Sequence, residues 1–226
     1  RPLPIEARNE ADDNDPLSRR QHLIQRLERY LDPNVTRYVH LMDGGISDNL
    51  AMRGLVNGLV LLGGNEAVIR NTRLDKVRRI VIVSVDGQAA ADSSWAQLRV
   101  VPGLFQIVNA VTGTQIDQYN FETLILARDM VQRLARTLRR LRCEQGPLSD
   151  GQPCTDVQAF FIHLSLAGIT DETVRKRLQA IPTGLTLSDE DIDLLVSSAE
   201  TLVRTSPELQ RLRESLSTPA KAPDAE

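Results

Sequence analysis

Excess positive charge and long apolar runs are missing from this chain of 226 residues and cysteine is scarce, and each shortage removes a class of protein. Basic and acidic residues number 27 and 30, a net charge of −3, so the strongly basic balance expected of a nucleic-acid binder is not there. Three of the basic residues are lysines (Lys76, Lys176, Lys221) and the rest are arginines, a bias that carries no functional weight. No stretch approaches the roughly 18 consecutive apolar residues of a membrane span. The longest, around Leu55–Leu62 and Phe160–Leu166, are interrupted by Gly, Asn, His or Ser and suit buried elements. Two cysteines rule out a disulfide-dense scaffold, and no further Cys or His stands at ligand spacing from them, so a metal site is not expected. An initiator Met and a charged-then-apolar leader are also missing: the chain starts at Arg1, and the expectation is that a preceding portion has been removed. What is present is ordinary for a soluble globular chain, 41% hydrophobic and 25% charged residues, enough for a sizeable core.

Residues 1–16, with three prolines and the acidic run Glu10–Asp15, read as an irregular segment. Ser18 is positioned to cap a helix carrying Leu23, Ile24, Leu27, Tyr30 and Leu31 at helical spacing, and Asp32-Pro33 ends it. Arg37–Met42 reads as a strand, broken by Asp43-Gly44-Gly45. Asp48 or Asn49 is placed to cap the next helix, whose apolar face runs from Leu50 to Leu62 and stops at Gly63-Gly64. Arg79–Val85 is continuous and β-branched, the pattern of a parallel strand buried on both faces, and Asp86-Gly87 closes it. Residues 88–118 read as helical turns joined by loops around Pro102-Gly103 and Gly113, and Phe121–Leu141 as a long helix. Its second half holds Arg133, Arg136, Arg139, Arg140 and Arg142, read as a solvated face near a helix C-terminus in preference to a phosphate or headgroup patch. Val157–Leu166 is a third strand; helices follow over 171–181, from Ser188 and from Pro207, and 217–226 reads as a disordered tail. No internal repeat is found. Strands alternating with helices argue an α/β fold with a mainly parallel sheet. Cys143 and Cys154 bracket a single Gly/Pro-rich loop, an arrangement that favours a disulfide over two free thiols.

The strongest chemical signal is His40-Leu-Met-Asp43-Gly44-Gly45-Ile-Ser-Asp48-Asn49-Leu50. An acid between a buried strand and a glycine pair is held at the edge of a sheet, where α/β folds place their sites, and the glycines let the backbone turn sharply and another group approach. A plain strand-to-helix turn is the alternative, Asp-Gly being a common turn pair. Tyr38–Arg53 resembles the Asp-Gly-Gly segment of bacterial patatin-like phospholipases, and the helix to Leu62, the strand Ile80–Val85 and the stretch from Ile181 to Leu195 are similar to that family too. The resemblance covers residues 17–216. It implies the C-terminal portion of a three-layer α/β/α sandwich with additional C-terminal helices, and a Ser–Asp dyad in which Asp43 is the base and Gly44 and Gly45 support the turn. A serine hydroxyl is a weak nucleophile until a base takes its proton, and a close, partly desolvated carboxylate can do so without histidine.

The nucleophile half of such a site is not in this chain. Its elbow is Gly-x-Ser-x-Gly, and among 13 glycines only Gly54 and Gly58 are four apart, with Val56 between them. The glycine-rich oxyanion segment is missing as well. The expectation is therefore a lipid acyl hydrolase whose serine and oxyanion donors lie upstream of this chain, the chain alone being inactive. The alternative is a non-catalytic binding module that keeps the fold. Ser47 lacks an elbow and is a poor nucleophile candidate. His40 and His163 read as packed histidines, His22 as a surface one, and Asp86 as a turn residue. A magnesium site of Asp43, Asp48 and Asp86 lacks a phosphate-cradling loop or Walker lysine, so no cofactor is expected. The partners implied are a lipid or acyl-ester substrate, the N-terminal half of the same precursor or a second copy of the chain, and transient contact with a membrane surface. The cysteine pair and the family point to the periplasm, the cell envelope or the exterior.

Overall fold

In the computed structural model the described residues are Asp15, 17–40, 48–72, 74–88, Arg99, 101–145, 153–181, Gly184 and 186–217. The irregular segment expected at 1–16 and the tail expected at 217–226 therefore lie almost wholly outside them. The architecture is mixed: helices around a small parallel sheet of two strands.

Helix α1 spans Arg19–Leu31, with the Ser18 hydroxyl accepting the Gln21 amide. Two helices follow where one was expected: α2, Met52–Leu61, and α3, Gly64–Thr72. Gly63 and Gly64, at φ 88° and 85°, take the left-handed backbone that turns the chain between them. Residues 37–40 are not a strand, and 41–42 lie outside the described residues. Tyr38 and Val39 are exposed, at 70% and 56%. Strand propensity reflects fit to a pleated, half-buried surface, and among the described residues these side chains meet none.

Strand β1, Arg79–Asp86, pairs in parallel with β2, Gln158–Ser165, in the register Ile80↔Ala159, Ile82↔Phe161, Ser84↔His163. Parallel neighbours need a long crossover, and α4 supplies it: one continuous helix of 41 residues, Leu104–Glu144, roughly 60 Å at 1.5 Å per residue. The loops expected at 102–118 are absent from 104 onward. Gly103 stands before the helix, its N–H bonded to the Gln106 side chain at 2.9 Å, and Gly113 lies within it with open space where a Cβ would be. A lone glycine costs a helix only about 1 kcal/mol, too little to break one this long.

The second half of α4 carries the core. Ala127, Val131, Leu134, Leu138 and Leu141 follow one stripe and are buried. One cluster joins Leu134, Ala135, Leu138 and Leu141 with Ile69 and Val157; a second joins Met130 and Val131 with Val56. Ile80 and Ala159 pack against both clusters and Ile82 against the second, so the even-numbered face of β1 meets α4. On the other face of the sheet, α6 (Asp189–Thr205) and α7 (Pro207–Ser217) lie against β2, and α5 (Glu172–Gln179) packs against the turn after β2 and against α6. Arg79 turns to that side, where its Nε donates to the Ser215 hydroxyl of α7 at 3.3 Å and its Nη1 reaches Asp156 at 2.9 Å. Leu166, Ile169 and Leu178 form a third cluster there.

β1 does not have the two buried faces that its composition predicts. Val81, Val83 and Val85 are 39%, 47% and 71% exposed, whereas Ile162 of β2 is fully buried. The reason is the placement of α6 and α7, which contact β2. The first four turns of α4 are likewise bare, with Leu104 and Phe105 more than three-quarters exposed.

Candidate active site

Asp43, Gly44, Gly45 and Ser47 lie outside the described residues, so the site is built from what flanks them in the chain. On the near side His40 is exposed, not packed as expected. On the far side Asp48 sets up the start of α2. Its Oδ2 accepts the amides of Arg53 at 2.9 Å and Gly54 at 3.2 Å, two of the donors that a helix leaves open in its first turn. Ala51, between them, is held at φ 54°, a left-handed conformation unusual for alanine. A backbone turn drawn tight by a carboxylate therefore links the Asp-Gly-Gly segment to α2.

Arg53, on the first turn of α2, reaches across to α4. Its guanidinium lies 4.0 Å from the Tyr119 ring centroid and its Nε donates to the Thr123 hydroxyl at 3.4 Å. Thr123 and, one turn earlier, Asn120 are buried. Asn120 donates to the Gln88 side-chain oxygen at 3.0 Å, and the Gln88 amide donates to Asp117. Gln88 stands two residues past the carboxyl end of β1, where Asp86 Oδ1 accepts its backbone N–H at 3.0 Å. The start of α2, the middle of α4 and the carboxyl end of β1 thus share one polar neighbourhood, at the sheet edge where open α/β folds bind ligands.

Ser84 and His163 face each other across the two strands, Nδ1 to Oγ 3.4 Å. Ser84 is 1% exposed and so inaccessible as a nucleophile, while His163 is exposed and bonded, which corrects its reading as a core histidine. Asp86 is committed to the turn through Gln88, and Asp48 to the helix cap. Among the described residues no group of three or more His, Cys, Asp or Glu is placed to hold a metal ion. Cys143 and Cys154 are joined as a disulfide with Cα atoms 4.9 Å apart, at the end of α4 far along the helix from Arg53's contacts.

Sequence reasoning missed Arg53, Gln88, Asp117 and Asn120. Asp117, Asn120 and Thr123 do fall at three-residue spacing on one side of a helix, but 88–118 reads as helical turns joined by loops and the long helix only from Phe121, so the spacing lacks one continuous frame. Comparison with models of protein families, with curated proteins and with solved structures finds no match. Among the described residues no helix is long and apolar enough to cross a membrane.

Proposed function

We propose that this chain supplies the base of a serine acyl-ester hydrolase of the patatin-like type, and that its substrate is a phospholipid or related lipid ester. Asp43 takes the proton of a serine that lies outside these 226 residues, and Gly44 and Gly45 allow the turn that presents it. The serine attacks the ester carbonyl, the alcohol leaves, and water then releases the acid from the acyl-enzyme. Backbone donors outside the chain stabilise the tetrahedral oxyanion.

The observation that carries the reading is the segment Asp43-Gly-Gly-Ile-Ser-Asp48-Asn-Leu50 leading into a helix. Supporting it, α2 begins where that pattern calls for a helix and Asp48 caps it. A helix layer on each face of the parallel pair supports a three-layer sandwich of which this sheet is part. A serine-directed fluorophosphonate should label the product of the whole gene and leave this chain unlabelled. Labelling of this chain overturns the placement of the nucleophile. A whole-gene product that neither labels nor hydrolyses esters favours the second reading, a binding module, for which the missing Gly-x-Ser-x-Gly elbow is the specific observation.

The half-exposed valines of β1, and its second edge, which no described residue pairs with, give the partner a physical role. The N-terminal half of the same precursor, or a second copy of this chain, covers that edge. Sedimentation of the isolated chain should show self-association, and a clean monomer with a sharp melt contradicts this. The disulfide and the family resemblance support a location in the periplasm, the envelope or the exterior, where disulfides persist.

A further inference from the structure

At its C-terminal end α4 buries a cation. Arg142 is 1% exposed and heads the fully buried side chains by volume. Its Nη1 donates to the Val77 carbonyl at 3.3 Å, and its Nε has no hydrogen-bond partner. Among the described residues, the acid on α3 and the one at the end of α4 are taken: Glu66 by Arg70 and Arg140, and Glu144 by Arg140, each pair at 2.8 Å. A guanidinium does not deprotonate in proteins, and a buried ion is costly; no salt bridge to Arg142 is found among the described residues. The last carbonyls of α4 favour a cation there but supply only about half an elementary charge. Arg142 was read as part of a solvated arginine face; burial against Val77 removes it from that face.

Beside it is a cavity of about 250 Å³ lined by Ile69, Arg70, Leu138, Leu141, Arg142 and Gln145. Aliphatic and arginine side chains line it together. The volume falls below the roughly 300–1,000 Å³ of pockets for larger ligands. Val77 precedes β1, so the cavity lies by the amino end of the sheet, the opposite end from Gln88 and Arg53.

We propose that this cavity binds a small aliphatic carboxylate. The unpaired Arg142 Nε–H takes the carboxylate through a charge-assisted hydrogen bond, the Gln145 amide adds a donor, and Ile69, Leu138 and Leu141 enclose a short alkyl chain. The site is separate from the Asp43 segment and stands whether or not the acyl-hydrolase reading holds.

The test uses the intact chain with sodium hexanoate, acetate and inorganic phosphate at matched ionic strength, read by calorimetry and by the Nε–H resonance of Arg142. Saturable hexanoate binding is expected, tighter than acetate or phosphate, with the Arg142 Nε–H shifted. Arg142→Met, which keeps the length and removes the charge, should weaken it about tenfold or more. Binding in Arg142→Met equal to wild type, or no movement of the Nε–H resonance in the wild type, overturns the proposal. Phosphate binding as tightly as hexanoate overturns the assigned ligand class. The wild-type resonance decides the question even if the variant does not fold.

Discussion

Single residues here do more to shape turns than to store energy. Asp48 satisfies two amides of α2, and a carboxylate in that role is worth about 1 kcal/mol. Two carboxyls, Glu66 exposed and Asp191 half-buried, report on the surface. Asp191 is held below the ordinary carboxylate range, first by the Ser188 hydroxyl and then by Arg177. Glu66 is held below it, first by its hydrogen bond from Arg70 and then by Arg140. A carboxyl whose folded value is depressed contributes stability that is present above its unfolded value and is lost as pH falls through the folded one. Stability should therefore decline as the pH drops below the ordinary carboxylate range, and Glu66→Gln or Asp191→Asn should flatten part of that decline. Both groups are solvated, so each share is small and shrinks with added salt. Urea midpoints taken from neutral pH to about pH 3 check this, and parallel profiles for the variants and wild type contradict it.

At the scale of elements, the crossover helix organises the molecule, and its two ends behave differently. The C-terminal half is packed into the core and closed off by the Cys143–Cys154 bridge, which spans 11 positions. Reducing that bridge should cost about 2–4 kcal/mol. Unreduced protein should show no reactive thiols, and reduction should lower Tm; an unchanged melt contradicts a stabilising role. Much at this scale was legible in the sequence. The β-branched run at 79–85 is a strand, Ser18 and Ser188 cap the helices they precede, and Asp171 and Pro207 stand at helix starts. Three things were not. Gly113 and the polar residues around it hid the first half of α4, because local propensity says little about a helix that continues from a packed one. Tyr38 and Val39 looked like a strand because propensity registers side-chain shape and not the presence of a neighbour. The half-bare face of β1 was hidden because alternation cannot show which strand the covering helices choose. At the candidate site, Asp43 and Asp48 stood out through their glycines and their spacing, whereas the Arg53–Tyr119 stack and the Gln88–Asn120 bond join residues 66 and 32 positions apart and left no local trace.

For the whole molecule, the exposed apolar surface and the candidate chemistry meet at one end. Val85 of β1, 71% exposed, stands at the carboxyl end of β1, where Gln88 meets Asp117 and Asn120 of α4 and Arg53 of α2 meets Thr123, and the bare first turns of α4 precede these residues in the same helix. On the proposed reading, a complementary segment carrying the nucleophile would bury that surface and complete the site in the same step. General-base catalysis contributes about 10²–10⁴-fold, so the proton acceptor is the residue on which the proposed chemistry depends most. The decisive measurement is therefore acyl-ester hydrolysis by the whole gene product with and without Asp43→Asn, an isosteric change, at matched Tm. A loss of turnover of at least about 100-fold, with the fold intact, is the predicted result; turnover that survives the substitution contradicts Asp43 as the base.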